Sequence, residues 1–355
     1  MRILFILHSH ECGGAEKHAL LLMDALVQQG HVVVFGGPRD SWLGDNATAL
    51  GIRVIDVPLK GLFDLYSLFR LVYFVRTMNM DIVHGHLVRG AFYAAWVGRL
   101  SGRASLATAH ATSSYKHFSA VNHIIAVSDA VRDFLVSKGY APENITTVHH
   151  GVPDQGDQDE NLRSDVRQQL GIVGAEIALC MVARFIRDKG QDLLVEAVHR
   201  MENTGIRVIL IGKDDTDWGD HVRRLVADYG LENRFSFLGH REDVARLLSA
   251  MDILIVPSRR EALSLSIIEA CSARLPVIAA RVGGIPEVVH DNVNGLLFPP
   301  DDVAALSDAI TYLLQQPDVM RKMACQSRRI YEQDFSMASM LQKTLGLYDS
   351  LLRES

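Results

Sequence analysis

Two segments in the second half of the chain combine side chains that bind anions with side chains that bind hydroxyl groups. Arg184 and Lys189 share one short loop, and Glu261 and Glu269 lie in a later segment. Arginine can grip a phosphate through two nitrogen atoms and lysine adds a point charge. A carboxylate can accept hydrogen bonds from two neighbouring hydroxyl groups of a sugar. Together the segments predict an anion pocket with carboxylates nearby, although each segment alone also fits an exposed, solvated loop or helical turn.

Small residues lie between the two glutamates, directly before a predicted helix. Ala262 and Ser264 leave the backbone accessible, and the helix is predicted over Leu265–Ala273. The first N–H groups of a helix have no partner within it, so a helix start can bind phosphate. We therefore expect the anion to meet the start of this helix.

Short apolar strands alternate with helical patterns along almost the whole chain. Strands that are apolar throughout, separated by helices, predict a parallel sheet covered on both faces. The alternation is interrupted by the polar stretch Pro153–Asn161, which we interpret as a linker. The predicted fold is α/β, with two tandem Rossmann-like, doubly wound domains facing a cleft. The predicted ranges are an N-terminal domain at 1–153, a C-terminal domain at 154–335, and a helix at 336–355 that packs back on the first domain.

Composition limits the classes of function that the chain can serve. The length of 355 residues suits two domains, and 48% hydrophobic against 22% charged residues is ordinary for a globular protein. A net charge of −6 argues against a general nucleic-acid partner. The four cysteines form no close pair, which favours reduced thiols in the cytoplasm. The apolar run Ile3–Leu7 is too short for a signal peptide or a membrane span, so we expect a soluble protein or one attached to the cytoplasmic face of a membrane.

The motifs of the second half occur in the order of a known enzyme family. The chain resembles the retaining GT-B glycosyltransferases of family 4, also described as glycosyl transferases group 1. The resemblance rests on the cation pair, the two glutamates eight residues apart, a Pro-Val-Ile strand, a Gly-Gly loop and an Asn-Gly-Leu-Leu turn: Arg184 and Lys189, Glu261 and Glu269, Pro276–Ile278, Gly283–Gly284 and Asn294–Leu297.

The resemblance implies a role for each residue of the second-half motifs. It places Arg184 and Lys189 on the diphosphate of a nucleotide sugar, capped by the backbone N–H groups of Ser264 and Leu265. It places Glu269 on the ribose, and Glu261 on the transferred sugar. Binding of the diphosphate by cations and backbone implies that no metal ion and no cofactor is required.

Two first-half residues also match the family. Gly14, in the Gly-Gly-Ala-Glu segment that opens the first helix, is implied to approach the donor closely. His110, at the end of a strand, is implied to lie near the transferred sugar, although a lone histidine there is more often structural. Asp215 and Asp217 form the Asp-x-Asp pattern of a different glycosyltransferase fold, and we expect no metal there.

The resemblance implies a retaining hexosyltransferase that moves a hexose or N-acetylhexosamine, with a uridine diphosphate sugar favoured as donor. The implied acceptor is a cell-envelope glycan, such as lipopolysaccharide or a lipid-linked polysaccharide precursor. A sugar-nucleotide epimerase of the same fold and a non-catalytic sugar-nucleotide-binding subunit stay open as alternatives. A nicotinamide-dependent oxidoreductase is disfavoured, because neither half carries a complete GxGxxG with its acidic partner.

Aromatic and basic residues are interleaved between residues 59 and 78. Phe63, Tyr66, Phe69 and Tyr73 alternate with cationic side chains that include Arg70. Such a segment can dock on an anionic membrane surface. An amphipathic helix packed on its own sheet explains the pattern equally well, so peripheral membrane contact is one of two expectations.

Overall fold

The computed structural model describes residues 1–112, 115–156, 159–201 and 205–354. The chain forms two compact units, of which one comprises Met1–Gly151 with Met337–Ser355 and the other Val152–Ser336. The division falls two residues before the end of the predicted N-terminal domain, and the C-terminal segment belongs to the N-terminal unit.

The N-terminal unit is built on a seven-stranded sheet in the order β3-β2-β1-β4-β5-β6-β7, and every neighbouring pair is parallel. Its strands are β1 Arg2–Ile6, β2 Val32–Gly37, β3 Arg53–Asp56, β4 Ile82–His86, β5 Ala104–Ala109, β6 His123–Ala126 and β7 Ile145–Thr147. Its helices are α1 Gly14–Gln28, α2 Trp42–Ala49, α3 Leu65–Thr77, α4 Leu87–Ser101, α5 Asp129–Ser137 and, from the end of the chain, α14 Met337–Glu354. The sequence predicted all of these strands but not α2.

The C-terminal unit contains a six-stranded sheet in the order β10-β9-β8-β11-β12-β13, again with parallel neighbours. Its strands are β8 Ile177–Val182, β9 Ile206–Ile211, β10 Phe235–Phe237, β11 Ile253–Val256, β12 Val277–Ala280 and β13 Gly295–Phe298. Its helices are α6 Glu160–Gln169, α7 Gln191–His199, α8 Asp217–Asp228, α9 Val244–Leu248, α10 Leu265–Ser272, α11 Ile285–Val288, α12 Val303–Gln315 and α13 Pro317–Ile330. The predicted class, two tandem α/β domains with parallel sheets, is confirmed.

Helix α6 lies partly where the sequence analysis expected only a linker. The side chain of Asp159 accepts hydrogen bonds from the backbone N–H groups of Asn161 and Leu162, so it caps the start of the helix. Val166 is the one buried residue of α6, which explains why a polar helix without an apolar stripe was missed. Residues 157 and 158 of the predicted linker lie outside the described residues.

The C-terminal helix α14 packs in the core of the N-terminal unit. Met340, Leu341 and Tyr348 are buried in the same cluster as Phe5 of β1. The hydroxyl of Tyr348 lies 2.7 Å from Nδ1 of His84, whose Nε2 lies 2.7 Å from Oγ1 of Thr108. Both ring nitrogens of His84 are therefore satisfied, and this histidine joins β4, β5 and α14.

Each sheet reverses its winding direction once. Strand β8 pairs with β9 on one side and β11 on the other, and β1 pairs with β2 and β4 in the same way. Ligands of open parallel sheets bind beyond the carboxyl ends of the strands at such a reversal. The loops that follow β8 and β11 are therefore where a ligand of the C-terminal unit is expected.

Candidate active site

The predicted cation and carboxylate segments meet at the reversal in the C-terminal sheet. The loop after β8 carries Arg184 and Lys189, and the loop after β11 carries Glu261. Nζ of Lys189 donates a hydrogen bond of 2.6 Å to Oε2 of Glu261. The two side chains are 20% and 11% exposed, so the ion pair is largely withdrawn from water. The tertiary fold thus brings together a cation and a carboxylate that are 72 residues apart in the chain.

Two glycines permit close backbone approaches to the loop after β11. Gly190 has a φ of +75°, and a Cβ atom there would lie 2.1 Å from the carbonyl oxygen of Pro257. Gly283 has a φ of +51°, and its Cβ would lie 1.6 Å from the carbonyl oxygen of Glu261. No other residue fits either contact without moving the backbone. The Gly-Gly loop found in the sequence therefore supports the backbone of Glu261 directly.

Arg259 joins the same two loops through its side chain and its backbone. Its guanidinium binds both carboxylate oxygens of Asp192, at 2.9 and 2.7 Å, and donates a 2.7 Å hydrogen bond to the carbonyl oxygen of Arg187. Its backbone N–H donates to the carbonyl oxygen of Asp188 at 2.7 Å. The hydrogen bonds with Asp192 raise the pKa of Arg259. The sequence alone predicts no role for Arg259, because its partners become neighbours only in the folded chain.

The start of α10 lies next to the ion pair. Ser264 is the N-cap residue, but its hydroxyl lies 3.0 Å from that of Ser266 and makes no capping bond to the first turn. A small pocket is lined by Lys189, Glu261, Ser264 and Ser266. Leu265 is the first helical residue and Glu269 the fifth, half-buried. This arrangement presents the start of a helix to the pocket that contains the ion pair.

Ser258 is a pocket residue for which the sequence alone predicts no function. It lines the same pocket, is 1% exposed, and its Oγ atom has no hydrogen-bond partner within the described part of the chain. A buried hydroxyl without a partner is costly, so it needs an explanation. A ligand oxygen in the pocket would supply the missing partner. No sequence signal distinguishes this serine from Ser264 or Ser266.

Arg184 lies immediately beyond β8 and is exposed. Its carbonyl oxygen accepts a 2.9 Å hydrogen bond from the side chain of Gln191, which is buried at the start of α7. The backbone at Arg184 is therefore anchored while the side chain faces solvent.

In the N-terminal unit, Gly14 is the first residue of α1 and is exposed. The preceding Gly13 is the N-cap, and its N–H donates a 3.0 Å hydrogen bond to Oε2 of Glu16. Glu16 thus supplies the glutamate half of a capping box and satisfies the backbone N–H of the N-cap. The glutamate of the Gly-Gly-Ala-Glu segment therefore has a structural role at the start of α1.

His110 follows β5 and is half-buried beside the buried histidines His18, His86 and His150. Its Nε2 lies 3.1 Å from Nδ1 of His86, and His150 and His18 form a second pair with their Nδ1 atoms 2.8 Å apart. Burial, followed by the neighbouring charge of His18, lowers the pKa of His110 well below its usual range. Nδ1 of His110 has no hydrogen-bond partner within the described residues. His110 is therefore held neutral, with one ring nitrogen engaged by His86.

Among the described residues, one group of side chains could hold a metal ion. His18, His86 and His110 each offer a nitrogen, and these atoms lie within 4.8 Å of one another. Tetrahedral zinc with nitrogen ligands needs separations of about 3.4 Å, so the rings would have to close around an ion. The Asp-x-Asp pattern has another use, because Thr216 caps α8 and Asp217 is in the first turn of that helix.

Comparison with protein-family models gives two adjoining matches. Residues 12–155 match the model described as Glycosyltransferase Family 4, and residues 163–330 match the model described as Glycosyl transferases group 1. Together the two models account for most of the chain and for both of its units.

Curated relatives and solved structures agree with these models. The chain is 25% identical to an alpha-D-kanosaminyltransferase of Streptomyces kanamyceticus, over 63% of this chain and 59% of that protein. It is 35% identical to a D-inositol 3-phosphate glycosyltransferase of Mycobacteroides abscessus, over 58% of this chain and 46% of that protein. The matches thus span about half the length of these relatives. HepE of Anabaena, solved in complex with UDP, superposes with a TM-score of 0.90 at 23% identity, covering 99% of this chain and 100% of that one.

At 23% identity, the superposition with HepE shows a shared fold. The two family models show that the chain is related to glycosyltransferases. Their order along the chain follows the order of the two parallel-sheet units. The chain belongs to the glycosyltransferases, with a family 4 region followed by a group 1 region.

Proposed function

We propose that this protein is a retaining hexosyltransferase that uses a nucleotide diphosphate sugar, with a uridine diphosphate sugar as the favoured donor. The observation that carries the proposal is the ion pair of Lys189 and Glu261 beside the start of α10. It combines a phosphate ligand, a hydroxyl ligand and helix N–H groups in one pocket. HepE, a protein of the same fold, has been solved with UDP and with UDP-glucose.

The donor would bind through charges and dipoles of the C-terminal unit. Arg184 and Lys189 neutralise the diphosphate, and the N–H groups of Ser264 and Leu265 bind its oxygens. Because two cations and a helix start supply positive potential, the proposal requires no metal ion or cofactor.

The two glutamates divide the sugars of the donor between them. Glu269 binds the ribose hydroxyls and Glu261 binds the transferred sugar. Glu261 is held by Lys189 at 2.6 Å and by the backbone contact with Gly283, so its carboxylate is pre-positioned. Gly14 and His110 of the N-terminal unit are proposed to meet the donor and its transferred sugar, as the family resemblance implies.

Retention is proposed to occur on one face of the sugar. The leaving diphosphate oxygen accepts the proton of the incoming acceptor hydroxyl while the bond to the anomeric carbon breaks. Negative charge then develops on the diphosphate, where Arg184 and Lys189 stabilise it more strongly in the transition state than in the bound donor. This differential stabilisation is the catalytic contribution assigned to the two cations.

The acceptor is proposed to be a cell-envelope glycan, such as lipopolysaccharide or a lipid-linked polysaccharide precursor. A structural neighbour, WaaG, is described as a glycosyltransferase involved in lipopolysaccharide biosynthesis, with a TM-score of 0.75 and 20% identity. Such an acceptor is amphiphilic, so the enzyme would work at a surface. We propose peripheral contact through residues 59–78 on the cytoplasmic side of a membrane, in keeping with four free cysteines. Within the described residues, no helix combines the length and apolarity that a membrane span needs.

The test is a donor panel followed by product analysis. The proposal expects thermal stabilisation by uridine diphosphate and not by guanosine diphosphate, because a ligand at 100 times its dissociation constant adds about 2.7 kcal/mol. It also expects slow release of the diphosphate from the matching sugar nucleotide, and an α-linked product from an α-linked donor. Isomerisation of the sugar nucleotide without an acceptor would favour an epimerase. Binding without any release would favour a non-catalytic subunit.

A further inference from the structure

Helix α3 and the turn before it expose large aromatic side chains to solvent. Phe63 is 88% exposed, and Tyr66, Phe69 and Tyr73 are between 60% and 71% exposed. Single exposed apolar residues are ordinary on protein surfaces, but a contiguous set marks an interaction surface. The amphipathic packing of α3 does not account for these four residues, because its buried face consists of other side chains, which include Leu71.

The exposed surface continues from α3 onto α4, which the sequence analysis did not include. The ring of Phe63 lies 6.5 Å from that of Phe92, which in turn lies 6.3 Å from that of Trp96. Trp96 and Leu100 are 40% and 37% exposed. The guanidinium of Arg76 donates a hydrogen bond to the carbonyl oxygen of Leu100. The exposed sides of α3 and α4 therefore form one surface, the α3–α4 face.

The charged side chains of α3 and α4 are all basic. Helices α3 and α4 contain no aspartate or glutamate, although the whole chain has a net charge of −6. Arg70 and Arg76 on α3 and Arg99 on α4 are exposed. Asp64 is the N-cap of α3 and accepts hydrogen bonds from Ser67 and from the backbone of Lys60. The face therefore presents cations and aromatic rings together.

We infer that the α3–α4 face docks on anionic lipid bilayers, with its aromatic rings at the level of the headgroups and its arginines paired with lipid phosphates. Aromatic side chains favour the membrane interface, and each basic residue near an anionic leaflet adds to the attraction. The guanidinium of Arg70 lies 5.7 Å from the ring centroid of Tyr66, and that of Arg99 lies 6.0 Å from the ring centroid of Trp96, so cations and rings would enter the headgroup region together. Two copies of this chain are a poorer fit, because a twofold contact would bring like charges together.

This inference deepens the membrane contact put forward with the proposed function, and it adds α4 and a preference for anionic lipid. The test is sedimentation of the full-length protein with phosphatidylcholine vesicles, with and without phosphatidylglycerol. Wild type is expected to bind the mixed vesicles, to bind neutral vesicles at least tenfold more weakly, and to be released by high salt. Absence of binding to the mixed vesicles, or equal binding to both kinds, overturns the inference.

Paired variants separate the roles of rings and charges. Phe63→Ser with Trp96→Ser is expected to weaken binding at least tenfold. Arg70→Glu with Arg99→Glu is expected to abolish the preference for anionic vesicles. Each cation removed is expected to weaken binding to those vesicles about fivefold. The matched controls, Val173→Ser and Arg224→Glu, alter an exposed apolar and an exposed basic residue of the C-terminal unit, and should bind like wild type. Equal losses in controls and test variants would contradict docking through this face.

Two further measurements separate lipid docking from donor chemistry and from self-association. Diphosphate release from a soluble sugar nucleotide should be the same in wild type and in all face variants, so a failure of donor chemistry would show separately from a failure of docking. The sedimentation coefficient should match a monomer and stay unchanged in the variants. A wild-type dimer that dissociates in Phe63→Ser with Trp96→Ser would assign the face to self-association and overturn the lipid assignment.

Discussion

Nζ of Lys189 and Oε2 of Glu261 are 2.6 Å apart, so the proposed phosphate ligand and the proposed sugar ligand form one ion pair. Both side chains are mostly buried. An arriving diphosphate would compete with Glu261 for the ammonium group, and an arriving sugar would compete with Lys189 for the carboxylate. Under the proposed function, the pair would therefore couple binding of the diphosphate to binding of the transferred sugar.

Replacing Lys189 with methionine tests its two assigned partners, the diphosphate and Glu261. Lys189→Met is expected to weaken uridine diphosphate binding by at least tenfold and uridine monophosphate binding less, since the lost charge is proposed to bind the diphosphate. It should also lower the melting temperature, because Glu261 is left unpaired in a mostly buried position. Adding Glu261→Gln should restore the melting temperature but not the diphosphate affinity. Calorimetric titration and thermal melting measure both effects, and equal losses for the two nucleotides would contradict the diphosphate contact assigned to Lys189.

Substitution of Arg184 tests whether its side chain stabilises negative charge on the leaving diphosphate. Arg184→Ala is expected to lower the turnover number by about a hundredfold or more, because the guanidinium stabilises charge that develops during bond breaking. The melting temperature should stay within about 2 °C of wild type, since the side chain is exposed. Arg187→Ala, three residues further along the same loop and also exposed, is the matched control. Near-normal turnover of Arg184→Ala in a diphosphate-release assay would remove its assigned role.

Gly283 tests the backbone support of Glu261. Gly283→Ala is expected to reduce both stability and activity, because the added Cβ would lie 1.6 Å from the carbonyl oxygen of Glu261 at a φ of +51°. Gly346→Ala is the control, since its Cβ would meet nothing within 4 Å on helix α14 and alanine is the better helix former. Melting temperature and turnover report the two effects. A Gly283→Ala variant as active as Gly346→Ala would show that this contact does not position Glu261.

Substitution of Ser258 tests whether its hydroxyl binds the ligand. Ser258→Ala removes a buried Oγ that has no hydrogen-bond partner within the described residues, so the stability of the free protein should not fall. The Michaelis constant for the sugar nucleotide should rise severalfold if the ligand supplies the missing partner. A lower melting temperature with an unchanged Michaelis constant would mean that the serine is structural.

The buried histidines predict loss of stability in acid. Burial lowers the pKa of His18 to about 4, and burial followed by the charge of His18 lowers that of His84 to about 3. The unfolded chain takes up protons near the ordinary histidine pKa of about 6.5, whereas the folded chain stays neutral. The free energy of unfolding should therefore decrease as the pH falls from about 6.5 towards about 4, by up to about 1.4 kcal/mol per pH unit for each such histidine.

Urea unfolding at a series of pH values measures this slope. His18→Gln should flatten the dependence, whatever its effect at neutral pH, because the variant has one fewer group to protonate on unfolding. His240→Gln removes an exposed histidine and should leave the slope unchanged. Equal slopes for wild type and His18→Gln would mean that His18 is not held neutral by burial.

The alternating apolar pattern was sufficient to predict the fold class. Strands β8, β11 and β12 are apolar throughout, as the pattern predicts for strands buried on both faces. Helices α2, α6, α11 and α13 were not predicted. Helix α6 has little buried surface, and a cap formed by Asp159 is visible only once the backbone geometry is known. Hydrophobic periodicity predicts a helix poorly when packing and caps stabilise that helix and no apolar stripe is present.

The sequence by itself determined the chemistry of the candidate site, because the residue types and the order of the motifs are local properties of the chain. It identified Arg184, Lys189, Glu261 and Glu269 but could not show which of them touch. The tertiary structure decided that Lys189 pairs with Glu261, that Gly283 supports this pair and that Ser258 faces the pocket without a partner among the described residues. These relations depend on which strands become neighbours in the sheet, and strand order is a property of the whole fold.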